Sequence, residues 1–159
     1  NDAIDAFNTA LHLYKNIGNK LGEANCIKSI GDIHFRESRN NDAIDAFNTA
    51  LHLYKNIGDK LGEANCIKSI GKIHIKENNI ESAMGDLQQA LILYRSINDR
   101  YSVANAYWQY AILLKNTDGH RGESRQLIEK AETIFKEIKL PKDAEDCRKQ
   151  IEALEESEP

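Results

Sequence analysis

The segment Asn41–Ile70 repeats Asn1–Ile30 with a single change, Asn19 against Asp59, which writes a period of 40 residues into the chain. A third copy is recognisable from Ile80 to Tyr110, and a worn fourth from Glu123 to Ile151. Repeats of this length imply a solenoid, in which each unit buries its apolar face only against its neighbours. Such a chain speaks directly about architecture and indirectly about function, because solenoids work by offering an extended surface to something else.

Apolar residues make up 41% and charged residues 29% of the 159-residue chain, the balance of an ordered, water-soluble protein. A formal net charge of -4 gives no encouragement to nucleic-acid or anionic-membrane binding, and neither partner is expected. Cys26 and Cys66 are the same repeat position one unit apart, so with Cys147 they read as small packing residues in a reducing, cytoplasmic setting. No apolar run approaches the roughly 18 residues of a membrane span, and no signal-peptide pattern is present. The chain has no initiator Met and opens in mid-repeat, which suggests a piece of a longer protein.

Each period holds two helical segments. Leu21–Arg36 places Ala24, Ile27, Ile30, Gly31 and His34 at the three- and four-residue spacings of an amphipathic helix. After a polar break, Ala43, Ile44, Phe47, Ala50, Leu51 and Tyr54 follow the same rule. Asn41 is expected to cap this second segment, with Asp42 and Asp45 in its first turn and Gly58 closing it in the left-handed conformation. Helices are predicted at 1–16, 20–36, 41–56, 60–76, 80–96, 101–116, 122–138 and 142–155. They group as a second-type helix at 1–16, units at 20–57, 60–97 and 101–138, a final helix, and a polar tail at 156–159 expected to fray.

Gly31 and Gly71 fall inside periodic helices, where glycine costs about 1 kcal/mol relative to alanine. That is tolerated where two helices cross too closely for a side chain, and the third copy carries the next smallest residue, Ala111. Ala50, Ala90 and Ala131 fill a matching position on the second helix, with Phe47, Leu87 and Ile128 supplying bulk three residues earlier. Small against large at a fixed period is how a helical hairpin interlocks.

This pattern resembles a tetratricopeptide repeat array, in the longer variant of about 40 residues seen in the LGN/Pins group, kinesin light chains and STAND-type sensor arms. The signature is matched by Ile27, Ile30-Gly31, His34, Ala43, Phe47 and Ala50, and again by Ile67, Ile70-Gly71, His74, Ala83, Leu87 and Ala90. The third unit matches with Tyr107, Tyr110-Ala111 and Leu114, slips by a residue near Gly119, and resumes at Ser124, Ile128 and Ala131. His34, His74 and Leu114 replace the usual tyrosine, and Lys55 stands where shorter repeats place proline. The resemblance implies an all-α, right-handed superhelical solenoid of antiparallel helix pairs, with the first helix of each unit lining a concave face.

On that face the resemblance places Asn25, Lys28, Ser29, Asp32, Phe35 and Arg36; then Asn65, Lys68, Ser69, Lys72, Ile75 and Lys76. The third unit adds Asn105, Trp108, Gln109, Ile112, Lys115 and Asn116. Independently, these residues lie off the apolar stripe of their helices. Asn25, Asn65 and Asn105 recur as a ladder whose amides either grip a peptide backbone or are simply solvated. Lys28, Lys68, Lys72 and Lys76 favour an acidic ligand, unless they are ordinary wet-face lysines. Trp108, the only tryptophan, is either a groove anchor beside Tyr101 and Tyr107 or part of the hairpin seam.

Catalytic chemistry is not in evidence. His34 and His74 fall on apolar stripes and read as satisfied core histidines, and His12 and His52 are equivalent positions without metal-ligand spacing. No nucleotide-binding loop, Cys-x2-Cys pair or nucleophile elbow occurs, so neither enzyme activity nor a cofactor is expected. The expected function is a scaffold that captures a protein or peptide segment in the concave groove. A structural sensor arm of a larger signalling protein is one alternative. Self-association through the incomplete N-terminal repeat is another, since Ile4, Phe7, Leu11 and Tyr14 lack part of their cover.

Overall fold

The computed structural model describes residues 2–156, so the expected helix start at Asn1 and nearly all of the expected tail lie outside the described residues. Within them the chain forms α1 (Asp2–Asn16), α2 (Lys20–Arg36), α3 (Asn40–Ile57), α4 (Lys60–Lys76), α5 (Ile80–Ser96), α6 (Arg100–Leu114), α7 (Arg121–Glu137) and α8 (Pro141–Glu156).

The helix starts explain why one substitution distinguishes the two duplicated segments. Asn19 Oδ1 accepts from the Gly22 N–H at 2.8 Å, and Asp59 Oδ1 accepts from the Gly62 N–H at 2.9 Å. Either side chain satisfies an otherwise orphaned donor, so the exchange leaves the geometry unchanged. Asp99 does the same for Ser102 at 2.9 Å. Gly58, with φ of 75°, ends α3 in the left-handed conformation, while its N–H donates to the Lys55 carbonyl at 3.2 Å.

The expected cap at Asn41 is corrected. The chain leaves α2 through a left-handed residue, Ser38, so tightly that α3 already begins at Asn40. Arg39 occupies the cap position without a side-chain cap bond, and the Asn40 amide instead donates to Glu77 Oε1 at 3.0 Å. The sequence slip near Gly119 also has a physical form. α6 stops at Leu114, and a turn with Gly119 at φ 80° inserts the extra residue before α7.

Helices pair in sequence, each packing on the next from α1 to α8. The first helices of successive units also touch directly, α2 on α4 and α4 on α6. Interlock at the seams follows from the small residues. A methyl group on Gly31 would come within 2.8 Å of the Phe47 ring, and one on Gly71 would overlap the Tyr110 hydroxyl. Ala50, Ala90, Ala111 and Ala131 are fully buried, as are Phe47 and Ile128. The core is a strip of two joined clusters, one around Phe47, Tyr54 and Cys66, the other running from Leu87 through Tyr110 to Leu154. Cys26, Cys66 and Cys147 are free and buried in it, and burial pushes the Cys66 and Cys147 thiols up to about 12.

Candidate functional site

The surface shared by α2, α4 and α6 carries most of the residues expected to meet a ligand. Its centre is basic. Lys28 from α2 and Lys68 and Lys72 from α4 are all half-buried and lie close enough to repel one another. Burial, then the charges of Lys72 and Lys28, press the Lys68 ammonium down to about 8. Lys72 is likewise lowered, first by burial. The local counter-charge is Asp32, whose Oδ2 accepts from Lys28 Nζ at 2.8 Å.

Aromatic faces hold these lysines in place. Lys68 Nζ lies 5.8 Å from the Tyr94 ring centroid, while Lys72 and Lys76 stand 5.4 Å and 4.0 Å from that of Phe35. Packing of Phe35 between units thus sets the spacing of the charges.

The asparagine ladder has a structural job on its oxygen side. Tyr54 Oη donates to Asn25 Oδ1 at 2.6 Å, and Tyr94 Oη donates to Asn65 Oδ1 at 2.7 Å, tying the two helices of each unit together. Phe135 stands at the equivalent place in the third unit and has no hydroxyl. Asn105 Oδ1 accepts instead from Gln109 Nε2 at 2.5 Å. Each amide nitrogen remains as the group able to donate outward.

Two expected surface residues are corrected. Ser69 is 8% exposed and Ile75 only 3%, so both are buried and neither belongs to the open surface. A first helix touches its own partner and both neighbouring units, which buries a wider arc than a single apolar stripe suggests. Ser29 and Ile112 are half-buried, and Asn25 is exposed. Trp108 is half-buried, packed against the larger core cluster while lining a recess with Asn105 and Phe135. Tyr101 is 51% exposed and rests on Phe135 with centroids 6.2 Å apart.

Sequence periodicity missed the buried acids Glu23 and Glu63, each at the start of a first helix and each accepting from a lysine three residues earlier, at 2.8 Å and 3.0 Å. Their equivalent, Val103, is the signal that this position faces inward. The histidines also divide. His74 Nδ1 is 2.7 Å from Asp86 Oδ2, whereas His34 Nδ1 is buried with no partner among the described residues, Ala46 standing where Asp86 would be.

Comparison with known proteins agrees with a stacked-helix surface. The family model for soluble NSF attachment protein, SNAP, matches residues 1–158. The chain belongs to the SNAP family. No curated protein matches its sequence. Among solved structures, BtubC (BKLC) from P. vanneervenii is similar, with a TM-score of 0.55 and 14% identity over 96% of this chain and 74% of that one. At that identity the likeness speaks for the fold alone. The chain is an all-α helical repeat related to SNAP- and TPR-like architecture. In this SNAP-family chain no helix among the described residues is long and apolar enough to cross a membrane. Nor do the described residues contain a group of three or more His, Cys, Asp or Glu able to hold a metal ion.

Proposed function

We propose that the chain is a protein-interaction scaffold whose first helices capture an acidic, extended or helical segment of another protein. The observation that carries this reading is the convergence of Lys28, Lys68 and Lys72 from two helices onto one half-buried patch. Confining three ammonium groups where water is scarce is unfavourable in the free protein, and a partner carboxylate relieves it. Membership of a family named for attachment to another protein, NSF, accords with a binding role rather than a catalytic one.

The test is capture of a fluorescein-labelled glutamate-rich peptide, read by anisotropy at low and moderate salt. Reversing Lys68 and Lys72 together to glutamate should weaken binding at least roughly tenfold, about 1.4 kcal/mol, with helicity retained by circular dichroism. Asn65→Ala is a poor addition to that variant, because it also removes the acceptor of the Tyr94 hydroxyl. Unchanged capture by the folded double variant would sink the reading. Binding should also draw a proton onto Lys68 near pH 8, seen as buffer-dependent heat in titration calorimetry.

A further inference from the structure

Along the same surface the sign of the charge reverses. Between α6, α7 and α8 a recess of about 110 Å³ is lined by Asn105, Trp108, Phe135, Asp143 and Asp146. The other carboxylates nearby are neutralised within the chain. Glu132 accepts from Lys136 at 2.5 Å and lies 3.5 Å from Arg148, and Glu145 pairs with Lys149 at 2.9 Å. Lys115 is engaged by Gln150 at 2.8 Å. Asp143 and Asp146 enter no ion pair among the described residues, although Asp143 is half-buried. Their place near the start of α8 suits the helix dipole, which explains two acids there. Trp108 and Phe135 are held by the core cluster, and the half-buried indole is the ring whose surface the recess offers.

Carboxylates beside aromatic rings form the environment that a guanidinium fills best. Its planar fork bonds carboxylate oxygens, its face stacks on rings, and it sheds water more readily than an ammonium. The volume suits one side-chain head group. Resting on the scaffold reading above, we infer that the recess receives an arginine of the same partner segment whose acidic stretch lies on α2 and α4. The partner is therefore dipolar. Two packed-helix spacings from α4 to α8 would amount to about 16–20 Å, which about six extended residues span.

Trp108 is the chain's only tryptophan and lines the recess, so its emission is a local probe of occupancy there. N-acetyl-arginine amide at millimolar concentration should change that emission saturably, and the neutral isostere N-acetyl-citrulline amide should not. The Asp143→Asn, Asp146→Asn double variant should lose the response. No saturable change in the wild-type protein, or an equal change with citrulline, would overturn the inference whatever the basic patch does. If the variant fails to fold by circular dichroism, the arginine–citrulline contrast on the wild-type chain decides. In the second arm, a glutamate-rich peptide carrying one arginine about six residues away should bind roughly tenfold tighter than its citrulline counterpart. Equal affinities overturn the inferred dipolar partner. Failure of any glutamate-rich peptide to bind removes only the scaffold reading, since the small-molecule arm does not use the lysines.

Discussion

α1 and α3 contain the same run of residues, Asp2–Asn16 and Asp42–Asn56, yet their burial differs along the inward face. In α3, Ala43, Phe47 and Ala50 are fully buried and Tyr54 is 2% exposed; α1 has no buried residue. Local bonding pairs the same residues, although Asn16 meets His12 at Nε2 and Asn56 meets His52 at Nδ1. Thr9 and Thr49 donate to the carbonyls of Asp5 and Asp45 at 2.9 Å, and Asn16 and Asn56 reach His12 and His52 at 3.1 Å and 3.2 Å. Identical sequence thus produces identical helices, and the neighbours alone decide what each helix contributes. α3 packs on both α2 and α4, whereas α1 packs on α2.

Truncating the paired phenylalanines should show the largest contrast. Phe47→Ala is expected to cost about 3–5 kcal/mol, and Phe7→Ala less than about 2 kcal/mol, measured by urea denaturation. Equal losses would mean that α1 is as fully packed in solution as α3.

Next come the glycines facing the paired tyrosines. A methyl group on Gly62 would overlap the Tyr54 ring, and one on Gly22 would overlap that of Tyr14. Tyr54 has nowhere to go, so Gly62→Ala should destabilise by about 1–3 kcal/mol. Tyr14 is half-exposed and free to swing aside. There the helical preference for alanine, about 1 kcal/mol, should offset the displacement and leave Gly22→Ala near neutral in thermal unfolding.

The tyrosine hydroxyls sharpen the comparison further. Tyr54→Phe removes the bond to Asn25 and should cost about 1 kcal/mol. Tyr14→Phe should stay within about 0.5 kcal/mol.

The smallest expected effect is a pH dependence. Lys68 has its folded-state value depressed from 10.5 to about 8, so between these values the unfolded chain holds more protons. The Lys68 contribution to stability therefore rises with pH across that window and is least favourable below it. Buried Cys66, raised to about 12, acts in the opposite sense above pH 9. The informative quantity is the difference between wild type and Lys68→Met. That variant should be the more stable at pH 7, with its advantage shrinking toward pH 10.

Much of this was legible in the residues. Gly31, Ala50 and Phe47 revealed the interlock because hairpin packing repeats with the period. Ser69, Ile75, Glu23 and Glu63 were misread or missed for one reason: a helical stripe records chiefly the partner within the hairpin, and a first helix is buried over a wider arc. The Tyr54–Asn25 and Tyr94–Asn65 bonds span 29 residues each, so no window on a single helix exposes them. The basic patch was legible as composition, but not its depth, which depends on Phe35 and Tyr94 standing beside the lysines.

The contrast between His74 with Asp86 and His34 with Ala46 bears on how a duplicated chain assembles without confusion. While the polypeptide is still collapsing, α4 could dock onto α3 in the manner reserved for α2, since both offer nearly the same surface. In that mispairing His74 would meet Ala46 and forfeit its carboxylate, and Gly71 would lie against a phenylalanine. Either histidine would be drawn to Asp86, so the carboxylate marks α5 apart from α3 as a docking face, while Asp32 against Lys72, Phe35 against Ile75 and Arg36 against Lys76 are what tell α2 from α4.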